Sequence, residues 1–372
     1  MRSLHWLAWR PAAAFFAFAV PLTAAGQVPP STSADSLRAL SESVVLPGVN
    51  DAAVPRAVLG ISLHGMRHYY GYSGTGETPL SPDSIVEIGS ITKVFTTALL
   101  AEAIGSGAIA PDRSIQAYLP DVPLRPCTAR ITSMELADFT SGLPELPDDA
   151  PRNFKRRGMD NYTTQNFLNW LSAAIPNSGC SLPASYLYSN ASVGLLGPIL
   201  ANATRRPWHE LLASEITGPL GMPDTAVDPA RAHRAEGHYQ NGHPAPPWPV
   251  FAWYAAGALR STAQDMLAFG EAALGHPSVN GRPVPPALTA ALRLAMRPVY
   301  QPNDKPFAVG LSWVSEPDGT RGTMTYKDGG TDGFNSVIVV DLSKDCAIFL
   351  VGNKAKAGIP RLGMSLMRAI RR

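Results

Sequence analysis

The chain has 372 residues, 45% of them apolar and 16% charged, the composition of a protein that buries a sizeable core rather than of a disordered one. Thirty-one Lys and Arg against 29 Asp and Glu leave a formal charge of +2, without the basic excess of a nucleic-acid binder. Three cysteines exclude a disulfide framework and a four-cysteine metal site.

The first element is a targeting segment. Arg2 and Arg10 precede an apolar run, Pro11 to Ala25, that closes on small residues. This is the pattern of a signal peptide over residues 1–26, cut after Ala25 or Gly26. The run is shorter than the ~20 residues a membrane span needs. A mature protein without an integral membrane segment, in an oxidising compartment such as a bacterial periplasm, is the expectation.

A helix is expected around Ala34 to Val44, then two strands within Ala53 to Tyr72 turning at His64-Gly65. Ser90 to about Ile104 reads as a helix stopped by Gly105. From Pro111 to Pro302 the signals are mostly helical. Thr132 with Glu135 and Ser261 with Gln264 have capping-box spacing, and Pro207 suits a first helical turn. Beyond that the period changes. Phe307–Val314, Gly322–Lys327, Asn335–Asp341 and Cys346–Asn353 read as four strands, and Met364–Arg372 as a last helix. Strands at both ends with helices between predict an α/β (α+β) fold. One antiparallel sheet would come from residues 27–112 and 305–372, with residues 113–304 inserted as a helical domain.

Three motifs carry chemistry. Ser90-Ile91-Thr92-Lys93 sets a lysine one helical turn from a serine. A serine becomes a nucleophile beside a base, and a lysine serves if burial or a nearby cation lowers its pKa. The competing reading is a helix-capping serine with a surface lysine. Tyr188-Ser189-Asn190 offers a phenol to relay a proton and an amide to hold both lysine and substrate. Tyr239-Gln240-Asn241 has the same loose form, so pattern alone does not choose. Lys327-Asp328-Gly329-Gly330 places a cation at a strand edge, where glycines let a substrate lie as an added strand. Lys356-Ala357-Gly358 shares the Lys-x-Gly form but reads as a turn before Pro360.

In order along the chain, Glu87-Ile88-Gly89-Ser90-Ile91-Thr92-Lys93, Thr140-Ser141-Gly142-Leu143-Pro144, Tyr188-Ser189-Asn190 with Gly194-Leu195-Leu196-Gly197, Pro219-Leu220-Gly221-Met222, Gly257-Ala258-Leu259 and Lys327-Asp328-Gly329-Gly330 resemble class C β-lactamases and their relatives. Those relatives include DD-peptidases, D-aminopeptidases and family VIII esterases. The resemblance covers about Val58 to Asn353 and implies a β-lactamase/transpeptidase-like fold. It implies Ser90 as the acylated nucleophile, Lys93 as its proton acceptor and Tyr188 as the relay to the leaving group. Asn190, Lys327, Asp328, Gly329 and Gly330 are then substrate-binding positions, with the backbone N–H groups of Ser90 and Gly330 as oxyanion hole. No cofactor or metal is implied. The substrate would be a small molecule or a peptidoglycan-derived peptide, with hydrolysis of β-lactam or D-Ala-D-Ala-type amides. A family VIII-type carboxylesterase or D-aminopeptidase is the alternative, and an idle cell-wall-binding domain the non-enzyme one.

Two departures stand out. Asp328 replaces the Thr or Ser that often follows the third-motif lysine, and either points into the cleft or turns to pair with Lys327. Phe139 replaces a histidine before Thr140, a change expected to be structural. No Gly-x-Ser-x-Gly or His-Glu-x-x-His occurs, against an α/β-hydrolase or a zinc peptidase. Cys127 and Cys180, both in loop-like stretches, are expected to form a disulfide, and Cys346 to be a buried free thiol.

Overall fold

The computed structural model describes residues 34–151, 162–176, 180–230 and 234–372. The expected signal segment, residues 1–26, lies outside the described residues. Helix α1 (Ala34–Asp51) comes first, followed by strands β1 (Ala57–Leu63) and β2 (Met66–Tyr72). Their hairpin turns at His64 and Gly65, with φ of 52° and 75°, the left-handed pair that a tight two-residue turn demands. Helices α2 (Thr92–Gly105), α3 (Asn190–Thr204), α4 (Ala263–Leu274) and α5 (Pro286–Met296) occupy the middle of the chain. Strands β3 (Ala308–Val309), β4 (Val314–Pro317), β5 (Thr323–Gly330), β6 (Asn335–Asp341) and β7 (Cys346–Gly352) follow, then helix α6 (Ile359–Ile370).

These seven strands form one antiparallel sheet in the order β2-β1-β7-β6-β5-β4-β3. The N-terminal hairpin docks beside the last strand, with Ala57 opposite Gly352, so the two chain ends share one sheet. Helices α1 and α6 cover one face, and α4 packs against β1, β6 and β7 on the other, with α5 against α2. Alternate residues of β6 therefore enter different layers. Val337 and Val339 join α1 and α6, while Ile338 and Val340 join the larger core with Phe95 and Phe269. A strand covered on both faces reads as an unbroken apolar run, as Val337–Val340 does.

Several boundaries differ from the sequence expectation. Helix α1 continues through Pro47 to Asp51 rather than stopping near Val44. Pro47 removes one backbone hydrogen bond, but burial of Val45 and Val49 holds the further turns. Phe307–Val314 is not one strand. The chain turns at Gly310–Trp313, where Ser312 has φ 62° and Leu311 N donates to Ala295 O of α5 at 2.7 Å. Thr262, not Ser261, caps α4, accepting from Asp265 N. Ser261 is committed to a two-residue strand paired with Val86–Glu87. Pro207 is the N-cap of the turn Trp208–Leu211 rather than a residue within it. The last helix begins at Ile359, earlier than Met364, because Pro360 fits its first turn and Gly358 caps it at φ 74°. The Thr132–Glu135 capping box forms as expected.

Cys127 and Cys180 are disulfide-bonded, with Cα atoms 4.8 Å apart, well inside bonding range. Cys346 is a buried free thiol whose pKa burial pushes up.

Candidate active site

The nucleophile turn is held mostly by backbone. Gly89 takes φ 52° and opens a short 3-10 turn, Gly89–Ile91, that runs straight into α2. Thr92 Oγ1 donates to Gly89 O at 2.7 Å and accepts from Leu259 N at 3.0 Å. The end of β5 presses against this turn. A Cβ on Gly89 would come within 2.6 Å of Gly330 O, and one on Gly329 within 2.0 Å of Ile88 O. Side chains at either position would force the strand away from Ser90. The two glycines thus bring the Gly330 backbone beside the Ser90 turn, where two N–H groups can serve one oxyanion.

Two side chains meet at the Ser90 hydroxyl. Tyr188 Oη donates to Ser90 Oγ at 2.7 Å, and Lys93 Nζ lies 3.1 Å from the same oxygen. Lys93 also donates to Asn190 Oδ1 at 2.6 Å and to Ala256 O at 2.7 Å. A neutral amine has two donors and one lone pair. The two oxygen acceptors take both donors, which leaves the lone pair free to receive the Ser90 proton. Burial holds the Lys93 pKa below the ordinary lysine range; the charge of Lys327 acts in the same direction, against the opposing pull of Tyr188. Burial alone would raise the Tyr188 phenol, but Lys93 and Lys327 outweigh it and its net shift is downward. The Nζ atoms of Lys93 and Lys327 sit 5.0 and 5.5 Å from the Tyr188 ring centroid.

Tyr188 and Asn190 approach from one segment. Ser189 caps α3 by accepting from Ser192 N, and its hydroxyl donates to Pro144 O at 2.6 Å. Asn190 is thus the first residue of α3. Phe139 is buried with φ 67°, its ring 4.9 Å from that of Tyr188, so the departure at this position is indeed a packing contact. Tyr239 lies in a separate hairpin, where its N–H donates to His243 O.

The third motif sits on an interior strand with a free half-edge. Strand β4 pairs with β5 only as far as Tyr326, opposite Val314, whereas β6 accompanies β5 to Gly330. From Lys327 to Gly330 the β4 side of the strand has no paired strand among the described residues. A Cβ built on Gly330 would meet open space, so nothing covers the strand at this position. Lys327 is buried and Asp328 turns back to it. Nζ donates to Asp328 Oδ1 at 2.8 Å and to Asp328 O at 2.7 Å. The Asp328 charge, then Tyr188, outweigh burial and raise the Lys327 pKa, while Lys327 holds the Asp328 carboxyl below its usual range.

Sequence reasoning missed Glu87. Its carboxylate accepts from Trp248 N at 2.6 Å and from Thr331 Oγ1 at 2.7 Å, and lies 3.7 Å from Arg260. It ties the segment before Ser90 to the loop after β5, and burial pushes its pKa up. An acid inside the apolar run Ile85-Val86-Glu87-Ile88 was the available signal. Ala256 was missed too, because it acts through its carbonyl and no side-chain pattern reports that.

A serine flanked by a buried lysine and a tyrosine, beside a sheet built from both chain ends, defines a serine hydrolase. The chain belongs to the Beta-lactamase family, whose family model matches residues 41–363. It is 22% identical over 345 residues to a β-lactamase of Escherichia coli K12, covering 83% of this chain and 87% of the relative. It is 26% identical over 277 residues to the D-alanyl-D-alanine-carboxypeptidase/endopeptidase AmpH of the same organism, covering 72% of this chain and 71% of that one. Among solved structures, a class C β-lactamase from Rhodobacter sphaeroides superposes with a TM-score of 0.74 at 23% identity, over 90% of this chain and 99% of that one. The D-alanine carboxypeptidase AmpC of Burkholderia cenocepacia gives 0.74 at 22%, over 91% and 99%.

Proposed function

We propose that this serine hydrolase opens β-lactam or D-Ala-D-Ala-type amide bonds through an acyl-enzyme on Ser90. The observation that carries the reading is the Ser90 hydroxyl held at once by Tyr188 and Lys93. Lys93 takes the Ser90 proton as Oγ attacks the substrate carbonyl carbon. The developing oxyanion is met by the backbone N–H groups of Ser90 and Gly330. Tyr188, hydrogen-bonded to Oγ, is placed to carry the proton to the leaving nitrogen as its bond to carbon breaks. Asn190 holds Lys93 and the substrate amide, and the free half-edge at Lys327–Gly330 receives the substrate as an added strand. Water then attacks the ester, with the same groups returning Oγ to its starting state.

The protein acts after export, most simply in a bacterial periplasm. The charge and hydropathy pattern of residues 1–26 and the Cys127–Cys180 bond support that location. No helix among the described residues is long and apolar enough to cross a membrane.

Labelling with a fluorescent penicillin followed by peptide mapping tests the nucleophile, and turnover of nitrocefin and of a D-Ala-D-Ala peptide tests the reaction. A label on Ser90 with turnover of either substrate is the expected result. Absence of both, in a folded protein, overturns the reading.

A further inference from the structure

We infer that Asp328 takes, from within the chain, the place beside Lys327 that a substrate carboxylate would occupy, so that substrates bearing an amide, an ester or an ammonium group on the leaving side are preferred to those with a free carboxylate there. The inference rests on the acyl-enzyme reading and narrows its substrate.

Lys327 is the cation of the free half-edge. Its side chain is only 3% exposed, and two of its three donors go to Asp328. The Asp328 side chain is 52% exposed, so the pair is open to solvent rather than sealed in the core. A carboxylate arriving at Lys327 meets a second carboxylate already there. It must displace Asp328 or share the ammonium with it, and like charges at one site repel. The neighbouring wall suits other chemistry. Tyr186 stands edge-on to Phe139 and Phe307, at 5.8 and 5.7 Å, close enough to Lys327 and Asp328 for both charges to act on its phenol. An aromatic wall beside a half-exposed anion favours amide N–H donors and cations. The other lysine of the site, Lys93, is turned to Asn190, Ala256 and Ser90 and is not free to bind a carboxylate.

Two matched pairs test this: a diacyl-lysyl-D-Ala-D-Ala peptide against its C-terminal amide, and a penicillin against its methyl ester. In the unmodified protein, kcat/KM for the uncharged member should exceed that for the carboxylate by about tenfold or more in each pair. The gap should narrow as salt is raised. Asp328→Asn should shrink or reverse the ratio, with Asp328→Ser as a second variant should the first fail to fold. A preference of the unmodified protein for the carboxylate members, or a ratio that survives both substitutions, overturns the inference. Labelling of Ser90 by a fluorophosphonate, which carries no carboxylate, separates the two levels. No label and no turnover sinks the acyl-enzyme reading and the inference with it. A labelled Ser90 with the wrong ratio sinks only the role of Asp328.

Discussion

The start of α2 and the end of β5 each place a buried lysine against the Tyr188 ring, and they arrive at opposite protonation behaviour. Lys93 donates to neutral acceptors, Asn190 Oδ1 and Ala256 O, so burial outweighs the opposing pull of Tyr188 and its pKa falls. Lys327 is equally buried but has the Asp328 carboxylate at 2.8 Å, and its pKa rises. Residue type and burial are the same at both ends of the cleft. The partner decides which lysine can accept a proton and which remains a fixed cation.

The largest effects should come from breaking the first of these environments. Ser90→Ala and Lys93→Ala are each expected to lower turnover by about 10³-fold or more while circular dichroism and thermal unfolding show a folded protein. Lys93→Arg should lose as much, because a guanidinium keeps the charge but does not release its proton. Near-normal turnover in any of the three would remove Lys93 or Ser90 from the chemistry. Tyr188→Phe should cost about 10²–10⁴-fold in kcat, the range of a proton relay, with a smaller change in KM. A loss confined to KM would make Tyr188 a binding residue instead.

The pH profile sharpens the comparison without removing a catalytic group. Activity requires neutral Lys93, so kcat/KM should rise with pH through an apparent pKa below the ordinary lysine value, and fall again only where the cluster loses a proton that it needs. Asp328 opposes the lowering of Lys93 and is the main cause that raises Lys327. Asp328→Asn should therefore move the acid limb to lower pH. An acid limb that moves upward would contradict the assignment of that limb to Lys93.

The smallest effect on activity should lie away from both lysines. Replacing Cys127 and Cys180 by serine opens a loop with a sequence separation of 53. That should cost ~4 kcal/mol of stability by the loop-closure estimate, read as a lower denaturation midpoint. Per-molecule turnover in the folded double variant should stay close to that of the parent. A large loss of kcat with unchanged stability would show that the loop shapes the site.

What could be read in the sequence was local. The spacing of three from Ser90 to Lys93 set one helical turn, Thr132 and Glu135 wrote their own cap, and His64-Gly65 marked its hairpin, because each depends on neighbours within a few positions. The apolar run of β6 likewise marked a strand, and the structure shows it buried on both faces. The ordered motifs resembling a known family made Tyr188 a better choice than Tyr239, a choice that pattern alone left open. Boundaries failed where packing overrode local preference, as at Pro47 within α1 and at Gly310–Trp313 against α5. The site's chemistry lay beyond local reading altogether. Lys93 meets Asn190 and Ala256 across 97 and 163 residues, and Thr331 meets Glu87 across 244. A lysine's pKa depends on the burial and the charges that such long-range contacts create. The chain's own order of residues sets Lys93 one turn from Ser90 and Lys327 before two glycines, and the folded molecule supplies the burial and the partners that lower one lysine and raise the other.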